Sequence, residues 1–586
     1  MGKKNKIRSK KNIATKPNVT RKQISIKRKE FLPWILVAAA LTVVCFLPVL
    51  KNSFTNWDDE FYVVNNALLR GPDWTGILTR PVVSNYHPIT VLSLALNYAL
   101  SGTEAWSYLL VNLMLHMVNT ILVFMFIYRI SGNKIVVAFL SALLFGIHPL
   151  HVESVAWVSE RKDVLYTLFF ILSLMQYWRF LTAGKISAFW LSFLFFIFSL
   201  LSKPAAIVLP LVLFLLDYWK GRAVEKKIFA EKIPFFLIAG LFAVITLKLQ
   251  SVTAMTSLDV FPVWERLLFA CYVIMTYMVR FIIPYPLSAF HPFPAPDNLG
   301  WQVYISPIFI LALFALMWQL RKNKVVIFGL MFFLVNLVLV LQLVSIGFTI
   351  VSERYTYVPY IGLSFIAGVL LEKYFVPRNT FAWSAVVLAI GVFAFVSFNR
   401  TKVWHDSDSL WTDVIKKYPA EPLPRAEHAQ YLYNKAIMMP PAEAAPLFSR
   451  VIGDCTAGIH NSTDSLRPDA QKGGISLYYM RAIAFNSLNE FDKAFADFNH
   501  CLFIDSGYTE ALYYRGTLLV NHYNKNAEAL KDFTRAIELN AQGKYYLNRS
   551  ICYYKLGDLA HAKSDGQMAM QKGAALPDNY RRILNL

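Results

Sequence analysis

Cysteine and acidic residues are both scarce in this chain of 586 residues. The five cysteines show no metal-ligand spacing and no close pair, which excludes a disulfide framework and a cysteine-based metal site. Acidic residues number 37 against 58 basic ones, and charged residues make up only 16% of the sequence, whereas 56% are hydrophobic. A composition so poor in charge and so rich in apolar residues indicates a polytopic membrane protein.

The basic charge is concentrated at the amino terminus. Residues 1–30 contain 12 Lys and Arg but a single acid, Glu30. Nucleic-acid binding is one interpretation of such a tail, but its place directly before an apolar segment favours a cytoplasmic anchor. That segment, residues 31–50, is too long for the apolar part of a signal peptide and is followed by many others, so it is predicted to be a membrane helix.

The hydrophobic segments predict about eleven membrane spans, at 31–50, 106–128, 135–150, 164–180, 186–202, 204–219, 233–249, 301–320, 324–346, 355–373 and 380–398. The loops 128–134, 179–185 and 220–232 are basic, which places them and the amino terminus in the cytoplasm. Segment 264–284 carries three charges and ends in prolines, so it is predicted to be an external or re-entrant helix.

The sequence becomes polar and helical after residue 400, and a repeat appears there. Ala482, Gly516 and Ser550 are each 34 residues apart, the period of tetratricopeptide repeats. An ordinary helical domain is the alternative. The predicted fold is therefore all-α, with a basic tail (1–30), a polytopic membrane domain (31–400) and a soluble tetratricopeptide α-solenoid (401–586) whose groove suits peptides or partner proteins.

Under this topology the suggestive polar clusters fall on the outer side, and they lie around Asp58-Asp59-Glu60, Tyr86-His87, His148 to Glu153, Glu160 to Asp163, Lys203 and Glu353-Arg354. Acids suit proton abstraction and cations suit phosphate binding. Each cluster also has a plain interpretation, such as a solvated loop or a lysine that reaches the membrane surface. The trio His148, His151 and Glu153 could be a metal site, although a polar turn is the commoner explanation.

Several motifs resemble the transmembrane and tetratricopeptide repeat-containing O-mannosyltransferases and their bacterial relatives. The resemblance rests on motifs in the same order along nearly the whole chain: Asn56-Trp57-Asp58-Asp59, Tyr86-His87-Pro88, Asn112 and His116, His148-Pro149-Leu150-His151-Val152-Glu153, Arg161-Lys162-Asp163, Leu201-Ser202-Lys203 and Glu353-Arg354-Tyr355. It implies the glycosyltransferase C fold, a polyprenyl-phosphate sugar donor and an acidic motif in the first outer loop.

Roles follow from this chemistry. Asp58 is predicted to be the general base, with Asp59 positioning the acceptor or orienting the base. Arg354 is the first choice for stabilising the leaving phosphate, and Lys203 and Arg161 come next. The remaining predicted substrate-binding residues are His87, Glu60 and His151. No cofactor is implied, and a divalent metal stays open.

We therefore predict a glycosyltransferase of a bacterial inner membrane that works on the periplasmic side. Its partners would be membrane lipids, the lipid-linked donor and a protein or peptide held by the repeats, with Ser or Thr hydroxyls as acceptors and no nucleic acid. A glycolipid or lipopolysaccharide acceptor stays open. The alternative from another class is a membrane-anchored repeat scaffold for envelope assembly, which would not need the outer cluster of acids and cations.

Overall fold

The computed structural model describes residues 21–71, 73–250, 261–294, 298–343, 349–374, 380–462 and 468–586. Most of the predicted basic tail, and residues 251–260 between two of the predicted helices, lie outside the described residues. Every regular element in the described ranges is helical, so the predicted all-α class with several apolar helices is confirmed.

The membrane half contains fifteen of the described α-helices, and their bounds are α1 (Arg21–Phe46), α2 (Trp74–Thr79), α3 (Pro88–Ser101), α4 (Ala105–Ile130), α5 (Ile135–Gly146), α6 (Val152–Ala156), α7 (Arg161–Ala183), α8 (Ile186–Ser202), α9 (Leu209–Lys220), α10 (Lys226–Gln250), α11 (Val263–Ile282), α12 (Trp301–Gln319), α13 (Lys324–Leu337), α14 (Tyr360–Tyr374) and α15 (Thr380–Val403). Among them, six are long and apolar enough to cross a membrane: α1, α4, α7, α10, α12 and α15. The bent pair α5 and α6 makes a seventh candidate.

Basic loops gather at one end of this helix bundle, which we call the basic end. The Trp219 ring nitrogen donates to the Ile130 carbonyl at 2.9 Å, which joins the ends of α9 and α4. Lys134 before α5 forms an ion pair of 3.0 Å with Glu372 near the end of α14. Lys324 at the start of α13 lies 6.0 Å from the ring centre of Tyr218. Loops that are separate in sequence therefore meet as the positive-inside pattern requires.

The opposite end carries the acidic motif, and we call it the site end. Besides the six long helices, the bundle contains five shorter ones that pack within it, α5, α8, α9, α13 and α14. These eleven helices correspond to the predicted spans, and their crossing of a bilayer stays a prediction.

Helix α11 contacts the segment between α13 and α14 at two points. Near its start, Arg266 donates to the Leu343 carbonyl, and nearer its end Tyr277 bonds to Ser352. That α11 is an external or re-entrant helix stays a prediction.

The second half continues with ten α-helices in the described residues, namely α16 (Ser407–Lys417), α17 (Pro422–Ala436), α18 (Pro441–Ser462), α19 (Pro468–Ser487), α20 (Phe491–Ile504), α21 (Thr509–Asn521), α22 (Asn526–Leu539), α23 (Gly543–Lys555), α24 (Leu559–Gln571) and α25 (Asp578–Ile583). Helix α16 packs against the membrane half, because Leu410, Trp411 and Val414 are buried in the same apolar core as the helices α4 to α9. The helices from α17 onward form cores of their own.

A charged contact recurs in three successive helix pairs. It joins an arginine on the first helix to an aspartate on the second, as Arg481–Asp497, Arg515–Asp532 and Arg549–Asp565. The same arginines reach the preceding pair, since Arg515 also donates to Asn499 and Arg549 to Thr534. The small residues predicted to allow close approach lie at such contacts: a Cβ added at Gly516 would come within 2.9 Å of the Phe533 ring. The structure thus repeats every 34 residues, and the tetratricopeptide assignment stays a prediction.

Candidate active site

The acidic motif lies in a loop between α1 and the short helical segment Glu60–Val64, and Asp59 fixes this loop. The buried Asp59 carboxylate accepts from the Thr55 backbone nitrogen at 2.9 Å and hydroxyl at 3.1 Å, and from the Ser159 backbone nitrogen at 2.9 Å. The Ser159 hydroxyl also donates to it. Burial raises the pKa of Asp59 to about 6 against these hydrogen bonds. With every oxygen occupied, Asp59 ties the loop to the start of α7.

Asp58, directly before it, has a free carboxylate. The residue is half-buried, and its side chain makes no hydrogen bond or ion pair with any residue that the structure describes. Burial raises the pKa of Asp58 above its ordinary value; Lys162 and Arg354 oppose this effect, and Glu160 adds to it. A partly desolvated carboxylate beside cations, with its oxygens unoccupied, has the properties of a general base.

Three cations converge on the buried Glu160, which lies just before α7. Lys162 approaches Glu160 at 3.0 Å, Arg354 at 3.3 Å and Lys203 at 3.7 Å. They come from the first turn of α7, the end of α8 and the segment before α14. Because these elements are far apart in sequence, only the fold brings the charges together.

Two further acids complete the group. Glu153 of α6 forms an ion pair with Arg354 and also accepts from its backbone nitrogen at 3.2 Å. Asp163 forms an ion pair with Lys203. We call these six residues, Glu153, Glu160, Lys162, Asp163, Lys203 and Arg354, the ion cluster. It combines three acids with three cations, and Asp58 is a further acid beside it.

Unpartnered polar atoms are concentrated beside Lys162. The buried His87 ring stacks on Tyr62 at 5.4 Å, and both of its nitrogens, like the Tyr62 hydroxyl, lack a hydrogen-bond partner within the described structure. The Trp157 ring nitrogen is in the same state, while the Lys162 ammonium lies 4.8 Å from the Tyr62 ring centre and 5.7 Å from that of Trp157. Burial and the nearby cations lower the pKa of His87 to about 3, so its ring is neutral. Buried polar groups normally have hydrogen-bond partners, so four unpaired polar atoms around one lysine mark this region as a candidate binding site.

The other predicted site residues lie apart from this group. Arg161 is fully buried and donates to the Tyr108 carbonyl at 2.8 Å and to Asn97 at 3.0 Å, away from Asp58. His151 lies among aromatic rings and bonds through Nδ1 to the Phe145 carbonyl at 2.8 Å. Glu60 begins the segment after the loop and is partly exposed.

The metal alternative finds no geometric support. Nε2 of His148 contacts the Phe281 carbonyl at 3.2 Å, and Glu153 is engaged with Arg354. Within the residues that the structure describes, no group of three or more His, Cys, Asp or Glu side chains is placed to hold a metal ion.

Lys162, Glu160, Glu153 and Asp163 belong to the polar clusters identified in the sequence, but none of them was predicted to be a catalytic or substrate-binding residue. Arg161 and Lys162 are adjacent on a helix, where successive side chains point about 100° apart, so only one of them can face the loop. Glu160 lies on the preceding 3-10 turn, two residues before Lys162. This acid is the sequence signal that could have favoured Lys162 over Arg161 as a site residue.

Together these features define a helical membrane protein with a buried polar site at one end. Sequence comparison shows relatives in one family. The chain is 35% identical over 152 residues to mouse (Mus musculus) protein O-mannosyl-transferase TMTC2, covering 24% of this chain and 18% of the relative. It is 22% identical over 414 residues to protein O-mannosyl-transferase F38B6.6 of Caenorhabditis elegans, covering 66% and 58%. The resemblance seen in the motifs is confirmed: the chain is a homologue of these O-mannosyltransferases.

The extent of these matches is limited. The chain spans less than a fifth of the length of the mouse relative and somewhat over half of the worm relative. No family model matches it. Among solved structures, ArnT from Cupriavidus metallidurans bound to undecaprenyl phosphate aligns with 93% of this chain and 81% of that chain, at a TM-score of 0.36 and 12% identity.

Proposed function

We propose that this protein is a membrane glycosyltransferase that moves a sugar from a polyprenyl-phosphate donor to an acceptor hydroxyl. The observation that carries the proposal is the free carboxylate of Asp58 beside the ion cluster, with unpartnered polar atoms of His87, Tyr62 and Trp157 next to it. A scaffold has no use for a free carboxylate and a group of unpaired polar atoms gathered around charged side chains. The relatives are named protein O-mannosyl-transferases, which favours a sugar as that ligand.

The proposed reaction is a single displacement. Asp58 takes the proton of the acceptor hydroxyl while its oxygen bonds to the anomeric carbon of the sugar. The bond from that carbon to the phosphate oxygen breaks on the opposite face, and the electron pair leaves with the lipid phosphate. The anomeric configuration therefore inverts. A phosphate is already a good leaving group, so no general acid is required, and cations stabilise the charge that grows on it.

Lys162, Lys203 and Arg354 are the cations proposed for the phosphate. Each is already paired with an acid of the cluster, which keeps it charged and oriented before the donor binds. Such preorganised charges cost little reorganisation during the reaction. Arg354 adds a planar fork of donors that matches phosphate oxygens. The neutral His87 is proposed to contact the sugar.

The finer assignments extend the same proposal. The site end would face the periplasm of a bacterium, as the basic loops at the other end imply. The repeated helices would hold a protein or peptide acceptor, with glycolipids as the alternative acceptor class.

The test is the variant Asp58→Asn in a transfer assay with purified protein, radiolabelled polyprenyl-phosphate mannose or glucose, and periplasmic extract as acceptor. The amide keeps the shape but cannot take a proton, so turnover should fall by about 10²–10⁴-fold. Glu104→Gln, an exposed acid whose side chain makes no cap hydrogen bond, is the control and should keep full activity. Turnover of Asp58→Asn close to the wild-type value would remove Asp58 from the chemistry.

A further inference from the structure

Asn56 connects the acidic loop to helices α16 and α17, more than 350 residues later in the chain. Its backbone nitrogen donates to the Ser407 hydroxyl at 2.9 Å, and its side-chain amide donates to the Glu427 carbonyl at 2.8 Å. Its side-chain oxygen accepts from the Trp411 ring nitrogen at 2.8 Å. Helices α16 and α17 thus occupy every polar group of the Asn56 side chain.

The neighbouring Trp57 strengthens this connection. Its ring lies between Trp157, with ring centres 4.9 Å apart, and Trp411, with ring centres 5.1 Å apart. Trp157 precedes α7 and Trp411 belongs to α16, so one aromatic stack joins the loop to both halves of the protein. Trp404 extends the stack, with its ring centre 5.5 Å from that of Trp157.

Asp58 therefore lies between two fixed points. Asn56 is held by α16 and α17, while Asp59 is held by Thr55 and Ser159. We propose that Asn56 and Trp411 are positioning residues for Asp58, and that α16 and α17 form part of the catalytic unit. The expected effect on turnover rests on the proposed function. The expected effect on the structure of the loop rests on the hydrogen bonds alone.

The physical reason is the sensitivity of proton transfer to geometry. A general base must approach the proton within hydrogen-bond distance, and displacement by about 1 Å can cost about 10²-fold in rate. The Asp58 side chain has no protein partner of its own among the described residues, so only its backbone neighbours fix its place. Loss of the Asn56 anchor should therefore affect turnover more than donor binding.

The decisive variant is Trp411→Phe, which keeps an aromatic ring in the stack but removes the nitrogen that donates to Asn56. Trp404→Phe is a matched control, because Trp404 is equally buried and stacked, and its ring nitrogen has no hydrogen-bond partner in the described structure. We expect kcat to fall about tenfold in Trp411→Phe, with the donor KM within twofold of wild type. Trp404→Phe should keep the wild-type kcat.

Hydrogen exchange supplies a readout that needs no activity. Backbone amides of residues 53–62 should exchange faster in Trp411→Phe than in wild type and unchanged in Trp404→Phe. If Trp411→Phe does not accumulate, Ser407→Ala removes the acceptor of the Asn56 backbone nitrogen and should give the same two effects. Wild-type exchange together with wild-type kcat in the positioning variants would overturn the inference, and so would an equal loss in the control. If the wild-type protein transfers no sugar, the proposed function fails and exchange alone decides.

Discussion

At the scale of the residue, Arg161 and Lys162 carry the same charge side by side and yet have opposite surroundings. Arg161 is enclosed by hydrogen bonds to α3 and α4, including Asn97 and Asn112. Lys162 faces Glu160 and the ring of Tyr62. Burial of an arginine with several partners stabilises a helix junction, whereas a lysine among unpartnered polar atoms is available to a ligand.

This contrast predicts that one of two similar substitutions reduces stability and that the other reduces turnover. Arg161→Met should lower membrane yield and the thermal midpoint, because it leaves buried acceptors unpaired at a cost of ~3 kcal/mol or more. Lys162→Met should keep a near-normal yield and lose at least tenfold in kcat. Quantitative blots and melting curves, with the transfer assay, separate the two. Normal stability of Arg161→Met with loss of turnover would return Arg161 to the site.

The pH dependence of Asp58 gives another residue-scale prediction. Only the ionised carboxylate can take a proton, so kcat/KM should fall as the pH decreases through the pKa of Asp58. Burial raises that pKa, and the acid limb should therefore lie above 3.8, the ordinary value of an aspartate. Lys162→Met removes a charge that lowers the pKa, and should move the limb to higher pH. A limb that does not move would show that Lys162 does not act on the base.

The acidic loop could be singled out from the sequence because three acids after a membrane helix are conspicuous. The sequence could not show which of the two adjacent aspartates has a free carboxylate. Asp59 and Asp58 are chemically identical, and only the hydrogen bonds from Thr55 and Ser159 distinguish the anchored carboxylate from the free one. The bond from Ser159 links residues 100 positions apart, which no local pattern records.

At the scale of the element, a histidine between two aspartates joins the helices α16 to α18. His428 of α17 lies 3.0 Å from Asp408 of α16 and 2.9 Å from Asp454 of α18. Two arginines also face these acids, Arg450 at 3.1 Å from Asp408 and Arg425 at 3.5 Å from Asp454. Although burial disfavours the charged ring, the two aspartates raise the pKa of His428 above its ordinary value.

This arrangement predicts a pH-dependent junction. Because the folded pKa of His428 exceeds its unfolded value, the stabilisation is complete below about pH 6.5 and is lost as pH rises through the folded pKa. Backbone exchange in α17 should therefore accelerate relative to α22 as the pH rises above about 6.5, after correction for intrinsic rates. His428→Gln should exchange fast at every pH in this range. A wild-type junction with no such acceleration would contradict the prediction.

The repeated helices show which features of single helices could be predicted from the sequence. The period of 34 residues was visible in Ala482, Gly516 and Ser550, because close helix contacts demand small side chains at fixed intervals. The packing of α16 on the membrane half was not visible. Its buried face of Leu410, Trp411 and Val414 is an ordinary amphipathic pattern that does not name its partner.

At the scale of the whole molecule, the two ends of the helix bundle differ in the charged residues that they carry. Basic residues meet at one end, as in the ion pair of Lys134 with Glu372, and the catalytic proposal concerns the other. The sequence could predict this order because the positive-inside rule counts only loop charges. It could not give helix lengths: α9 and α5 have 12 residues each, shorter than a lone span requires, and they are embedded among longer helices.

Orientation in the membrane is therefore the prediction on which the periplasmic site depends. Alkaline phosphatase, active only in the periplasm, should be active when joined after Thr103 or Leu586 and inactive when joined after Gly132. Green fluorescent protein should give the complementary pattern. Helix α11 is tested by fusions after Gln250 and Gly300, which bracket it: both should show phosphatase activity, because α11 contacts the segment between α13 and α14 at two points. Opposite results at these two positions would make α11 a span. Activity after Gly132 with none after Leu586 would place Asp58 and the ion cluster in the cytoplasm.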